Sequence, residues 1–241
     1  MSGEESRGVS RSTLKYLAAF AMLLDHIAHL FLPELSPLYF CFRFIGRLTA
    51  PIMCFFLAEG YYYTRSKSGY QLRLMLFALL SQFPYIFAFS HGKKWTDIGF
   101  SMIFTLLCSF LLLLTYDTVK SFRTKIALTA LLLFASSLSD WSVIAPFWVL
   151  FFWKYRGDMR KKITAFCIVA AAFPVMDMVF LIANGYPWYR ELWQFGVFTA
   201  VPLLISYHGA KGKSGMFHKW FFYVFYPLHL LVLGFISRIF G

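Results

Sequence analysis

Residues 22–33 read MLLDHIAHLFLP. One acid and two imidazoles there interrupt Leu14–Leu32, a run otherwise apolar and long enough to cross a bilayer. An Asp at the centre of a spanning helix costs roughly 2.5–3.5 kcal/mol on insertion scales. Ionisable groups at such depth face a bundle interior or a watery cavity and mark relays, pathways and reaction sites. His26 is the natural general base, because a neutral imidazole takes a proton near neutral pH. Asp25 and His29 are four apart and share a helix face. His26 lies about 100° round the axis from Asp25 and is expected to point elsewhere.

Other polar groups belong at the same depth. Arg43 and Arg47 are like charges four residues apart, and two such groups on one face need carboxylates or an anionic ligand. Asp25 and Asp177 are the acids within reach of that level, with Asp177 one turn after Pro174. Gln82 precedes Pro84, and His229 lies about one turn beyond Tyr226 in YPLH. Asp25 is expected either to orient His29 or His229, or to balance an arginine. Glu59, in LAEGYYY, ends its apolar run and is a candidate substrate contact with Gln82, Asp177 and Tyr226. Asp25, His26, His29 and His229 offer metal-ligand atoms but form no closed set at ligand spacing, so no metal is expected. Cys41, Cys54, Cys108 and Cys167 all fall in apolar runs without a C-x-x-C, as small packing residues do.

These side chains need a scaffold of membrane helices. Hydrophobic residues make up 59% of the chain and charged residues 14%, where a soluble domain carries about 25% charged. The composition predicts an all-α polytopic bundle, one domain over residues 1–241, with a short polar cytoplasmic tail at 1–13. Nine segments are expected: Leu14–Leu32, Leu38–Ala58, Gln71–Phe89, Ile98–Tyr116, Thr124–Leu138, Trp141–Trp153, Ile163–Ala183, Glu191–Tyr207 and Phe217–Ile239. The fifth and sixth are short; SSLSD at 136–140 favours a break between them, since Ser and Asp compete for backbone hydrogen bonds. Two thin spans and a re-entrant hairpin both fit this stretch.

Charge sets the sidedness. With the amino terminus cytoplasmic and the break kept, most loop cations fall inside, among them Arg7, Lys15, Arg65, Lys67, Arg73, Lys161, Lys211, Lys213 and Lys219. Lys93, Lys94, Arg190 and Arg238 fall outside. Fusing the two short segments divides the cations almost evenly, so nine is preferred. The net charge of +12 then reflects this bias plus attraction to anionic lipid. Cations in short loops at a membrane face do not suit nucleic acid.

Four stretches carry a family resemblance: MLLDHIAHLFLP (22–33), FRFIGRLTAPIMCFFLAEGYYYTRS (42–66), RLMLFALLSQFPYIFAF (73–89) and KWFFYVFYPLHLLVL (219–233). They resemble the TraX family, named for a pilin acetylase of conjugative plasmids, which is similar to the wider group of transmembrane acyltransferases. The resemblance is specific at both ends of the chain; residues 116–207 match mainly in hydropathy. It implies a multi-pass acetyltransferase in a bacterial cytoplasmic membrane. Acetyl-CoA would be the acyl donor, and a peptide N-terminus, glycan, lipid or small molecule the acceptor. Acyltransferase-3 proteins carry an Arg and a His with ten residues between them; Lys15 and His26 keep that spacing with Lys in place of Arg. Such a spacing rises about 16 Å along a helix.

The resemblance therefore implies catalytic roles for His26, Asp25, Arg47 and His229, with His26 as base or as transient acetyl carrier. It implies that Lys15, Arg65, Lys67 and Arg73, with Arg43, hold the cosubstrate. A proton-coupled permease and a non-catalytic assembly factor are the competing classes; no inverted repeat supports the first.

Overall fold

The computed structural model describes residues 8–90, 94, 97–207, 209–210, 212 and 215–240, the side chains of 216–219 excepted. Arg7, Lys93, Lys211, Lys213 and the Lys219 side chain lie outside the described residues. The helices are α1 (Arg11–Phe31), α2 (Pro37–Gly46), α3 (Thr49–Tyr63), α4 (Lys67–Phe89), α5 (Met102–Thr118), α6 (Phe122–Ser137), α7 (Ile144–Lys154), α8 (Met159–Ala183), α9 (Ala200–Ile205) and α10 (Met216–Phe240). Five stretches are long and apolar enough to cross a membrane: α1, the joined Pro37–Tyr63, α4, α8 and Trp220–Phe240 of α10.

Side-chain caps start many of these helices. Ser10, Ser36, Ser66, Ser121 and Asp158 each accept a hydrogen bond from a backbone N–H three residues on, which satisfies a donor the helix cannot. The Ser10 cap starts α1 at Arg11, inside the polar tail expected at 1–13.

Two expected spans are not continuous α-helices. Leu38–Ala58 divides into α2 and α3, because Pro51 has no N–H to reach the Arg47 carbonyl and its ring presses against it. Glu191–Tyr207 is a 3-10 segment, Trp188–Thr199, followed by short α9, with non-helical backbone at Glu191.

The packed neighbours form a ring in the order α1, α10, α4, α5, α7, α8, the 3-10 segment, α2 and back to α1. Helix α3 runs up its middle, touching α1, α5, α7 and α9. Ala50, Ile52, Cys54, Phe55, Leu57, Ala58 and Tyr61 are all buried, as expected of a helix apolar on every side. Helix α6 sits outside the ring against α5 and turns Phe122, Ile126, Leu131 and Phe134 outward. Leu79, Leu80, Phe83, Val179, Phe180 and Ile239 are likewise exposed. So large an apolar exterior fits a multi-pass membrane protein, whose outer surface meets lipid.

Helix α1 and the joined α2–α3 stretch run antiparallel. Thr49 Oγ1 donates to the Ala18 carbonyl at 3.0 Å, while Asp25 meets Arg43 and Arg47. One end of the bundle gathers Arg11, Tyr207, Asp117 and Lys67; the other gathers the Asp25–His26 cluster.

Candidate functional site

Asp25 balances arginines. Arg47 Nη2 reaches its two oxygens at 2.7 and 2.8 Å, and Arg43 Nη1 reaches Oδ1 at 3.0 Å. The approach depends on Gly46, where an added Cβ would land on the Asp25 side chain. The Trp193 ring covers both guanidiniums, with Cζ at 4.1 Å for Arg43 and 4.7 Å for Arg47, and Trp141 flanks Arg47 at 4.7 Å. The Nε atoms of both arginines are buried without a hydrogen-bond partner among the described residues. Buried donors of that kind are costly to leave unmade.

His26 pairs with His229 across the bundle. His26 Nδ1 lies 2.8 Å from His229 Nε2, with the rings stacked at 5°. His229 Nδ1 lies 2.7 Å from the Phe225 carbonyl. A carbonyl only accepts, so His229 Nδ1 carries the proton. In the neutral ring its Nε2 is then an acceptor, which makes His26 Nδ1 the donor. The chain runs His26 Nδ1–H to His229 Nε2, then His229 Nδ1–H to Phe225 O. It leaves a lone pair on His26 Nε2. Phe89 packs edge-on against both His26 and His29, at 5.4 and 5.1 Å.

A cavity of about 230 Å³ opens beside these groups, lined by Asp25, His26, His29, Arg43, Arg47, Tyr85, Phe89, Asp97, Ile98 and Asp140. The expectation that His26 points away from Asp25 is corrected: both line the same cavity. One helix contributes only part of that wall, and α2, α4 and the loop before α7 close the rest, so groups about 100° apart reach it together. His29 lines it too, one turn along α1 from Asp25.

The loop at 138–142 supplies Asp140. Its backbone N–H donates to Phe100 O at 2.9 Å, Thr105 Oγ1 donates to its carbonyl, and Ser136 Oγ donates to Ser142 O. Trp141 and Ser142 follow at φ +61° and +34°. Such left-handed backbone at non-glycine residues costs of order 1–3 kcal/mol each and gathers at functional sites. Asp140 touches cavity space yet is enclosed by protein. That enclosure pushes its carboxyl above the usual range, against the pull of Arg47.

Beyond Arg47 and Asp140 lies a second cavity of about 220 Å³, also lined by Trp141, Trp148, Trp193, Asp177, Glu191 and Gln194. The Gln194 amide donates to Asp177 Oδ2 at 2.8 Å and to Glu191 Oε2. Asp177 thus lines the neighbouring chamber, and among the described residues Asp25 alone forms ion pairs with Arg43 and Arg47.

The structure places several other predicted site residues away from both cavities. Gln82 donates to Gly99 O at 2.8 Å and accepts from Ser101 N at 3.1 Å; it braces the strand-like stretch that pairs with the Asp140 loop. Tyr226 is buried edge-on to His229, with centroids 5.7 Å apart. Glu59 faces Arg156 at the opposite end, 3.9 Å away. Arg43, expected with the cosubstrate-holding cations, belongs to the Asp25 cluster, far from Lys15, Arg65, Lys67 and Arg73. Lys67 is taken up by Asp117 and the Tyr61 ring. Arg65 is exposed, and Arg73 lies exposed over Tyr70. Lys15 sits between Phe56 and Phe222 at 5.7 and 5.4 Å, with no ion-pair partner among the described residues. The reading of the sequence missed Asp140, Trp141, Trp193, Tyr85 and Gln194. The signal it held for Asp140 was an acid beside Trp in a break between two apolar runs.

Comparison with known proteins agrees with the resemblance at the chain ends and extends it through the middle. The family model described as TraX protein matches residues 10–237. The chain is 31% identical over 227 residues to a probable fimbrial assembly protein, FimC of serogroup H1, from Dichelobacter nodosus. That match covers 91% of this chain and 92% of that protein. No solved structure matches.

Proposed function

Because the chain belongs to the TraX family, we propose that it is an integral membrane acetyltransferase, moving an acetyl group from acetyl-CoA to an amine or hydroxyl acceptor. The carrying observation is the lone pair left on His26 Nε2 by the relay to His229 and Phe225. It sits at the wall of a cavity that the Arg43 and Arg47 side chains also line. A general base needs the first feature and a developing oxyanion needs the second.

In this reading the acceptor's N–H or O–H proton goes to His26 Nε2 as the acceptor bonds to the acyl carbon. The C–S bond breaks, and the thiolate leaves and takes a proton to become the free thiol. The acyl donor supplies an activated thioester carbonyl. Arg43 and Arg47 hold its oxygen, Asp25 keeps the arginines in place, and His229 fixes the His26 tautomer. Lys15 and the buried Lys162, whose Nζ lies over the Phe55 ring at 5.0 Å, suit the donor's phosphates at the other end of the bundle. Arg65 and Arg73 would add to that attraction.

The loop cations, gathered on one side when nine segments are counted, support nine passes with a cytoplasmic amino terminus. The similarity to a bacterial protein supports the cytoplasmic membrane of a bacterium as the location.

The test is purified full-length protein in detergent with acetyl-CoA, following thiol release together with mass-spectrometric detection of acetylated products. His26→Ala should lower the rate by about 10²–10⁴ while the thermal midpoint stays near wild type. Full activity in His26→Ala would overturn the base assignment. A second reading, an assembly factor, is favoured by the similarity to the Dichelobacter fimbrial assembly protein. It predicts no thiol release from well-folded protein and a defect confined to surface fibres.

A further inference from the structure

We propose that the second cavity is a binding site for a primary ammonium group carrying an oxygen acceptor beside it. Its walls are unlike those of the His26 cavity. Three indoles line it, from Trp141, Trp148 and Trp193, with the carboxylates of Asp140, Asp177 and Glu191. Arg47 is the one cation among its lining residues, and its charge is already committed to Asp25. Aromatic faces and carboxylates together attract an organic cation.

The carboxylates do not exhaust one another. Gln194 holds Asp177 and Glu191 through a single amide nitrogen, leaving each with an oxygen free of that contact. Acids alone would say little. The second observation is Trp148: it is 1% exposed, lines the cavity, and its Nε1 has no hydrogen-bond partner among the described residues. An orphan N–H donor calls for an acceptor oxygen, and the acids call for a cation. One ligand bearing both satisfies each. The cavity, about 220 Å³, suits a small molecule or the end of a longer one.

The site stands independently of acetyl transfer, and its test contains no acyl donor. Full-length protein in detergent is titrated with glycinamide, methylammonium or acetamide, followed by ligand-observed NMR. Glycinamide should bind saturably, methylammonium at least tenfold more weakly, and acetamide not saturably. Asp177→Asn with Glu191→Gln should weaken glycinamide at least tenfold. Trp148→Phe keeps an aromatic ring but loses the N–H; it should weaken glycinamide several-fold more than methylammonium, a selectivity change that a merely structural role would not produce. Failure of glycinamide to saturate, equal binding of acetamide, or glycinamide affinity unchanged in the folded double variant would each overturn the site. Should the double variant fail to fold, Trp148→Phe decides.

Discussion

Replacing Asp25 by Asn keeps the shape of the side chain and removes the charge that holds two arginines. Three charge-assisted hydrogen bonds converge on this carboxylate, and all three side chains are only 12–13% exposed. In the variant the amide oxygen still accepts, but the amide nitrogen turns a donor towards Arg47 Nη2. Breaking a buried ion pair by removing one partner costs about 3–5 kcal/mol, because the surviving charge stays buried and uncompensated. Here two charges survive, so the upper part of that range is expected. Removing an arginine is milder. Arg47→Gln loses two of the three contacts. Arg43→Gln loses one and leaves a balanced pair of unlike charges, so the repulsion it relieves offsets a charged hydrogen bond of about 1.5–3 kcal/mol. The expected order of destabilisation is Asp25→Asn, then Arg47→Gln, then Arg43→Gln. Unfolding by SDS in mixed micelles, monitored by tryptophan fluorescence, measures it. An Asp25→Asn variant within about 0.5 kcal/mol of wild type, the ordinary range for surface substitutions, would refute the claim that Asp25 balances the pair.

Gly46→Ala and Gly196→Ala should differ in severity. The added Cβ meets a movable side chain, Asp25, in the first case and the Phe44 backbone carbonyl in the second. Overpacking of about 1–3 kcal/mol is expected at Gly46 and more at Gly196, read by the same unfolding assay. His229→Leu should slow transfer and shift its pH profile, while His229→Gln, whose carbonyl accepts the same His26 proton, should restore part of the rate. Asp158 caps α8, and the Lys161 backbone N–H at 3.0 Å holds its carboxyl below 3.8, the usual value. Its folded pKa is depressed, so its stabilisation is complete above about pH 3.8 and fades as pH falls through the folded value. Asp158→Asn should flatten that limb of the thermal midpoint against pH.

Helical spacing made much of the cluster readable. Two arginines four apart demanded a counter-charge, and Asp25 was one of two acids within reach. The His26–His229 pair was not readable as a pair: 203 positions separate the two, and only the ring of helices decides which meet. Asp140 looked like helix punctuation, since Ser-rich breaks ending in Asp commonly cap helices. Its role depends on a hydrogen-bonded loop braced from Gln82 and Thr105, contacts that hydropathy does not register. The 3-10 segment at 188–199 escaped for a related reason. Apolar content reports burial, and it registers neither the i→i−3 bonding nor the close approach of Gly196 to the Phe44 backbone.

The ring closes between its first and last helices, α1 and α10, and this imposes an order on biosynthesis. Asp25, Arg43 and Arg47 all belong to the first two helices to leave the ribosome. The chain can therefore neutralise its most costly intramembrane charge within its opening hairpin, long before the bundle exists. His229 comes from the helix made last, so the imidazole relay forms only when synthesis is complete. A nascent chain stalled before α10 would carry the arginine clamp in place and His26 without its imidazole partner.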